Sequence, residues 1–596
     1  MNESISEKNR IIIRKFLESG INISPKSLKF ISNLNNSLDK VDEIIKESSF
    51  IPSFNGHLTI NFLKKMSDKE IQKTLKRHSL NELTVPELDI VKKKIPPQED
   101  KNLLNDNDGE LKNTGKNSNQ LLEDLDYISS SLSKSSPKNK NHTRLPLKKI
   151  EKKKKSIRAL ESTKSTLHFI PSAKNYEIDY EILMDPTGKL YTNGDYNDFY
   201  ELMVDKYNQL KKLMKRRSDT LSATNIANIL RNSQNQEIAV IGLVKEIRPT
   251  RNDNYFITLE DNTGEINGVL KRSAENQETI KILERTLMDQ MLFVSGTYNP
   301  GEKRKKGIIF INNLTKIDIP RDHEPNKSTE PLTIALLSDT HIGSREFEKD
   351  LWNRFINFLN GEIGNKNIRD IAGRIKYIVI NGDLIDGIGV YPSQEEDLVI
   401  NDLYKQYEFA SELLSEVPDY IKVFYSSGNH EPVRNALPRP AVPKKYADSL
   451  VGQGVKCIGN PAVIKTHGVN TLIFHGDSLI DLNQLLPGLD NQKPTETMKE
   501  LLICRHLAPT YGKKTQIAPV NRDWLIIDQI PDIFHTGHIH INGMGIYRNV
   551  SLVNSGCFQS QTDFMKSFGI QPTPGIASLI ELDTLKGKEI NLNDRI

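Results

Sequence analysis

The chain has 596 residues, with 81 Lys+Arg against 77 Asp+Glu and a formal net charge of +4. So even a balance excludes a globally basic nucleic-acid binder and leaves any phosphate-binding surface to be local. Three scattered cysteines (Cys457, Cys504 and Cys557) exclude a disulfide framework, and no apolar run reaches the ~18 residues of a membrane span.

Residues 1–80 are expected to form a small helical N-terminal domain. IIIRKFLESG has apolar positions at helical spacing, and Ser24 and Pro25 supply an N-cap and a first helical position for the next helix. The domain either docks a partner or is an appendage without chemistry. Residues 81–165 turn polar and aperiodic and end near KKIEKKKKSIR, from Lys148 to Arg158. Such a composition buries too little surface to offset its ordering entropy, so a disordered basic linker is expected. Its lysines serve either as a solvated tether or as phosphate contacts.

Residues 166–232 read as a connecting segment, a short hairpin and then a helix, with turn signals at Asp185–Gly188 and Asn193-Gly194. Residues 233–320 hold five short alternating strands, which fits a barrel of the oligonucleotide/oligosaccharide-binding (OB) type. Such barrels bind single strands on aromatic platforms beside basic residues. That singles out Tyr255, next to Phe256, with Arg248 and Arg251. The barrel could equally bridge two proteins.

Residues 321–596 alternate apolar runs with helical stretches, the grammar of an α/β domain whose strands are covered on both faces. Each run ends in metal-binding side chains. Asp339 and His341 follow LTIALLS, Asp383 and Asp386 follow IKYIVING, and Asn429 and His430 follow IKVFYSSG. His475 ends TLIFH, while His538 and His540 follow DIFHTG. Ligands collect at the carboxyl ends of such strands. Together these ends deliver an oxygen and nitrogen set suited to two divalent cations.

The order Asp-X-His, Gly-Asp-X-X-Asp, Gly-Asn-His-Glu, His and Gly-His-X-His resembles the calcineurin-like metallophosphoesterase superfamily over residues 330–583. The chain as a whole resembles the small (exonuclease) subunits of archaeal family D DNA polymerases. They share the succession of helical domain, linker, barrel and phosphoesterase, and the segment RHLAPTYGKKTQIAPVNRDWLII. The resemblance implies an α/β metallophosphoesterase, a two-sheet β sandwich flanked by helices, with an OB-type barrel and a helical N-terminal domain. It implies that Asp339, His341 and His540 hold one metal, that Asp383 bridges, and that Asn429, His475 and His538 hold a second, with Mn²⁺ the expected ion. His430 would be a non-ligand histidine acting as general acid, oriented and kept protonated by Asp386. Arg345 and Arg434, neighbours in sequence, are candidates to steady growing phosphoryl charge.

His506 competes with His475 for the second metal. His475 is preferred because it ends an apolar run, whereas His506 is expected in a polar helical stretch. His535 should face away from His538 by strand alternation and be structural. The implied activity is 3′→5′ hydrolysis of DNA with unpaired 3′ ends, proofreading for a separate large polymerase subunit in the cytoplasm, with no membrane partner. A non-catalytic scaffold subunit, and a phosphoprotein or small-nucleotide phosphatase, are the other readings.

Overall fold

A computed structural model describes residues 169–594 apart from 302–306, 392 and 568, most of residues 7–48, and scattered positions from 57 to 74. The expected linker 81–165, its basic run and Ser24 lie outside the described residues. The chain divides into two compact units, Met1–Lys148 and Lys149–Ile596. In the first, helices Glu7–Glu18, Pro25–Ser32 and Ser37–Ser48 bury Ile12, Phe16, Phe30, Ile31, Val41 and Ile44 in a shared core. Among the described residues no helix is long and apolar enough to cross a membrane.

In the second unit the strands are β1 (Tyr180–Met184), then five of a barrel: β2 (Gln236–Pro249), β3 (Tyr255–Asp261), β4 (Gly264–Leu270), β5 (Met291–Asn299) and β6 (Ile308–Lys316). The barrel closes in the order β2-β3-β4-β6-β5, and helix Gln277–Glu284 between β4 and β5 plugs its core with Ile280 and Leu283.

The remaining strands are β7 (Thr333–Leu337), β8 (Ile375–Asn381), β9 (Lys422–Ser426), β10 (Lys456–Ile458), β11 (Ala462–Thr466) and β12 (Val469–Ile473). They continue with β13 (Ile533–Thr536), β14 (Gly543–Tyr547), β15 (Val550–Asn554), β16 (Ile576–Glu581) and β17 (Gly587–Asn591). One sheet runs β10-β9-β8-β7-β16-β17 and the other β14-β15-β13-β12-β11-β1. β7 to β10 are parallel neighbours, and so are β12, β13 and β15.

Side-chain alternation explains the layers. Ile334, Leu336, Tyr377 and Val379 of the first sheet meet Ile464, Ile473 and Ile533 of the second. Their sequence neighbours Ala335, Leu337, Ile378 and Ile380 pack instead on Trp352, Phe355 and Tyr407 of the covering helices. Leu472, Phe534 and Leu552 do the same beneath Leu479, Met498 and Leu501 on the other side. Every residue of β7 and β8 is buried, which explains why these runs carry almost no polar positions.

One expectation fails here. YEILM was read as part of a local hairpin, but β1 pairs antiparallel with β11, about 280 residues downstream by the Val463↔Met184 register. Buried Lys376 of β8 anchors the approach to it by donating to the carbonyls of Ala173 and Tyr176, at 3.2 and 2.5 Å. Tyr377 Oη donates to the Asp179 carbonyl at 2.7 Å.

Candidate metal centre

The ends of β7, β8, β9, β12 and β13 meet at one edge of the sandwich. The loops after β7 and β8 are zipped together: His341 N–H donates to the Asp383 carbonyl (3.0 Å), and Asp386 N–H to that of Ile342 (3.0 Å). Asp339, His341, Asp383, His538 and His540 all adopt a left-handed backbone, with φ from 51° to 70°. Each such non-glycine position costs about 1–3 kcal/mol, a strain that concentrates at functional sites. The preceding glycine of the third loop cannot change either, since a Cβ on Gly428 would lie 2.2 Å from Asp383 Oδ1.

The carboxylates are divided between support and site. Asp339 Oδ2 accepts His538 N–H at 2.9 Å, while Asp339 Oδ1 is buried with no hydrogen-bond partner and lies 3.5 Å from His540 Nε2. Asp383 Oδ1 accepts His430 N–H at 2.9 Å. Asp383 Oδ2 faces His475 Nε2 at 3.2 Å and the Nε2 atoms of His341 and His430, both at 3.9 Å. Asn429 Oδ1 lies 3.0 Å from His475 Nε2, and His538 Nδ1 lies 3.3 Å from it. His341 Nε2 and His540 Nε2 point at each other across 3.1 Å. Among the described residues three sets of donors therefore gather, the atoms of each within 4.8 Å of one another: Asp339–His341–His540, His341–Asp383–His430 and Asp383–His475–His538.

The electrostatics describe a site that demands positive charge. Burial opposes ionisation of His341, yet the Asp386, Asp383 and Asp339 carboxylates overcome it and raise its pKa to about 9. Burial is overcome likewise at His475, where Asp383 and Asp339 raise the pKa to about 10. Burial, with repulsion from Asp383, lifts Asp339 to about 6. His538 is pushed down to about 4, chiefly by burial. Protons on two histidines thus stand where cations would supply the charge. The bare Asp339 oxygen and the opposed imidazoles fit divalent ions held by oxygen and nitrogen donors.

Two expectations are corrected. The Asp386 carboxylate was given to His430, but Oδ1 lies 2.8 Å from His341 Nδ1 and 4.0 Å from His430 Nδ1. His430 Nδ1 instead lies 2.6 Å from the Asp386 backbone carbonyl, and burial lowers its pKa rather than keeping it protonated. Nor is His506 in a polar helix. It follows the left-handed cap Arg505 of helix Pro494–Cys504, is buried, and lies 2.9 Å from Asp523, outside the three donor groups.

His535 faces the interior, with Nε2 2.7 Å from Ser555 Oγ. Burial and then His475 push its pKa down from 6.5 to about 3. The folded value lies below the unfolded one, so stability is lost as pH falls through 6.5 toward 3, by about 2 kcal/mol at pH 5. Denaturant titrations at pH 7 and pH 5 check this: His535→Gln should lack that share of the acid sensitivity.

The arginines singled out earlier lie elsewhere. Arg345 is exposed, and the Arg434 guanidinium donates to the Pro438 carbonyl at 2.9 and 2.6 Å; neither lines the cavity beside the cluster. Arg248 lies 4.2 Å over the Phe256 ring and pairs with Glu246. Tyr255 Oη donates to Glu284, and Arg251 is exposed in the β2–β3 turn.

Sequence reading missed Glu431. Its buried carboxylate accepts the N–H groups of Asp383 (3.0 Å), Leu384 (2.9 Å) and Gly428 (2.5 Å), and the Tyr425 hydroxyl (2.7 Å). Burial, with the Asp383 charge, raises its pKa to about 7. Its signal was present, the last residue of Gly-Asn-His-Glu. Gln394 and Gln559, which donate to Asp386 at 2.9 and 3.3 Å, carried none.

The model of the calcineurin-like phosphoesterase family matches residues 332–542. The DNA polymerase II small subunit of Methanothermobacter thermautotrophicus is 36% identical over 419 residues, 70% of this chain and 84% of that one. That of Methanocaldococcus jannaschii is 38% identical over 424 residues, 71% and 70% of the two chains. That of Archaeoglobus fulgidus is 39% identical over 398 residues, 67% and 78%. Relatives this similar over most of their own length, and a phosphoesterase match on the sandwich that carries the cluster, show that the chain belongs to the DNA polymerase II small-subunit family.

Proposed function

We propose that this protein is a metal-dependent 3′→5′ DNA exonuclease that proofreads for a large polymerase subunit, and that its barrel is of the OB type. The observation that carries the reading is the convergence on Asp383, whose outward oxygen lies within 3.9 Å of His475, His341 and His430. Asp339, His341 and His540 would hold one divalent ion, Asn429, His475 and His538 a second, and Asp383 both, with Mn²⁺ compatible with such donors. Bound there, the ions would supply a nucleophile at neutral pH and offset phosphoryl charge.

The protein's own contribution is positioning and proton transfer. Asp386 holds His341 by its carboxylate and His430 by its carbonyl. That carbonyl accepts a hydrogen bond from Nδ1–H of His430 and fixes this tautomer, which leaves the unprotonated Nε2 to take a proton from the attacking water and pass it to the leaving 3′ oxygen. The cavity beside the cluster measures about 300 Å³ and has an apolar wall of Val390, Tyr391, Ile480 and Ile570. That is the small end of ligand cavities, room for one nucleotide and not for a base pair, which favours an unpaired terminus. The barrel order β2-β3-β4-β6-β5 with a helix between β4 and β5 supports the OB reading.

With Mn²⁺, a 5′-labelled single strand should shorten stepwise from its 3′ end. Turnover of p-nitrophenyl phosphate without any shortening would overturn the reading. His430→Asn is expected to lower the rate about 10²–10⁴-fold. Its metal content, read by mass spectrometry, should stay unchanged.

A further inference from the structure

A surface linked to the candidate cavity through one loop carries an aromatic face that packing does not explain. Tyr191, Tyr196 and Tyr200 are 76%, 81% and 60% exposed. Tyr196 and Tyr200 stand four residues apart in helix Tyr196–Met214, so they share one face. Exposed apolar groups in a cluster mark an interaction surface.

This face is joined to the cavity by a chain of contacts. Ile480 lines the cavity. The next residue, buried Asp481, accepts the N–H groups of Lys514 (3.2 Å) and Thr515 (2.9 Å) and so pins the loop that precedes them. On that loop the Tyr511 ring, 37% exposed, meets Phe199 edge-on at 6.3 Å. Phe199 lies between Tyr196 and Tyr200 in the helix. Lys513 and Lys514 are exposed on the same loop, and Lys189 and Arg522 both stack on Trp524, at 5.5 and 4.7 Å.

The two carboxylates at the start of the helix, exposed Asp195 and half-buried Asp198, are engaged by local backbone and hydroxyl donors. Asp195 accepts Asp198 N–H at 3.1 Å. Asp198 accepts the N–H groups of Asn193 (2.6 Å) and Gly194 (2.7 Å) and the Thr192 hydroxyl (2.9 Å). Glu201 is a further exposed carboxylate, on the helix itself.

We propose that this face is a track for single-stranded nucleic acid, on which bases 5′ of the reacting nucleotide stack on Tyr511, Tyr196 and Tyr200 while Lys513 and Lys514 contact phosphates. Aromatic platforms interleaved with basic side chains are what an unpaired strand recognises, whatever its sequence. The inference rests on the nuclease reading above and extends it from one nucleotide to several.

The test is fluorescence anisotropy with the full chain and a fluorescein-labelled oligothymidylate of about 15 nucleotides, in chelator so that nothing is cut. Tyr196→Ala/Tyr200→Ala should weaken binding about tenfold or more. Lys513→Gln/Lys514→Gln should lower the slope of log affinity against log salt by about 1.4. Both variants should melt at the wild-type temperature, because the replaced side chains are exposed. Wild-type affinity in both variants would overturn the track, and if the tyrosine variant then failed to bind a large polymerase subunit, the face would be a protein interface. A wild-type chain that binds no strand, yet hydrolyses bis(p-nitrophenyl) phosphate, would overturn the nucleic-acid substrate itself.

Discussion

Asp383→Asn is expected to lower single-strand hydrolysis about a thousandfold or more and to cut bound metal from about two ions per chain to one or none. Asp383 belongs to two of the three donor groups, so its loss weakens both ends of the cluster at once. Asparagine is the informative replacement. It tolerates the left-handed backbone at φ 51° and can still accept the His430 N–H through Oδ1. What it removes is the negative charge that faces His475, His341 and His430. That charge is also a main reason why His475 is raised to about 10, so the variant's metal-free histidines should titrate lower by NMR. Full hydrolysis with both ions retained would show that Asp383 is dispensable and that the cluster is not the hydrolytic centre.

Glu431→Ala should be the most destabilising of the changes near the site, by about 3–5 kcal/mol in denaturant titration. Alanine would leave three buried N–H groups and the Tyr425 hydroxyl without their acceptor. Two of those N–H groups belong to Asp383 and Leu384 and the third to Gly428, so one side chain ties the β8 loop to the β9 loop. Glutamine should recover little, because its amide nitrogen would face donors rather than acceptors. Hydrolysis should fall together with stability, since the same bonds hold Asp383 in place. A Glu431→Ala protein as stable as the wild type would mean that water replaces the carboxylate.

The donor set was legible because chemistry and topology coincide in it. Asp339, Asp383, Asn429, His475 and His538 each lie within three residues of the end of an apolar strand, and strand ends are where such folds gather ligands. Partner choice was less legible. Asp386 stands near both His341 and His430, and spacing cannot tell a carboxylate contact from a carbonyl one. Arg434 looked available beside the Gly-Asn-His-Glu motif, yet its guanidinium folds back on Pro438. Gln394 and Gln559 come from 8 and 173 residues away from Asp386, on loops without any local pattern. YEILM carried a correct strand signal, but register across about 280 residues is written in no local feature.

That early strand makes the barrel an excursion rather than a bead on a string. The chain first lends β1 to the far rim of the sandwich, then leaves to build β2 to β6, and then returns as β7 to the opposite sheet. Both roots of the barrel are thereby planted in the body that carries the donor cluster, and Asp318 N–H to the Ile503 carbonyl (3.1 Å) and Arg285 to Glu500 (2.8 Å) fasten its flank. A module moored in this way keeps a fixed aim, so under the proposed function any strand it gripped would reach the donor cluster from one direction only.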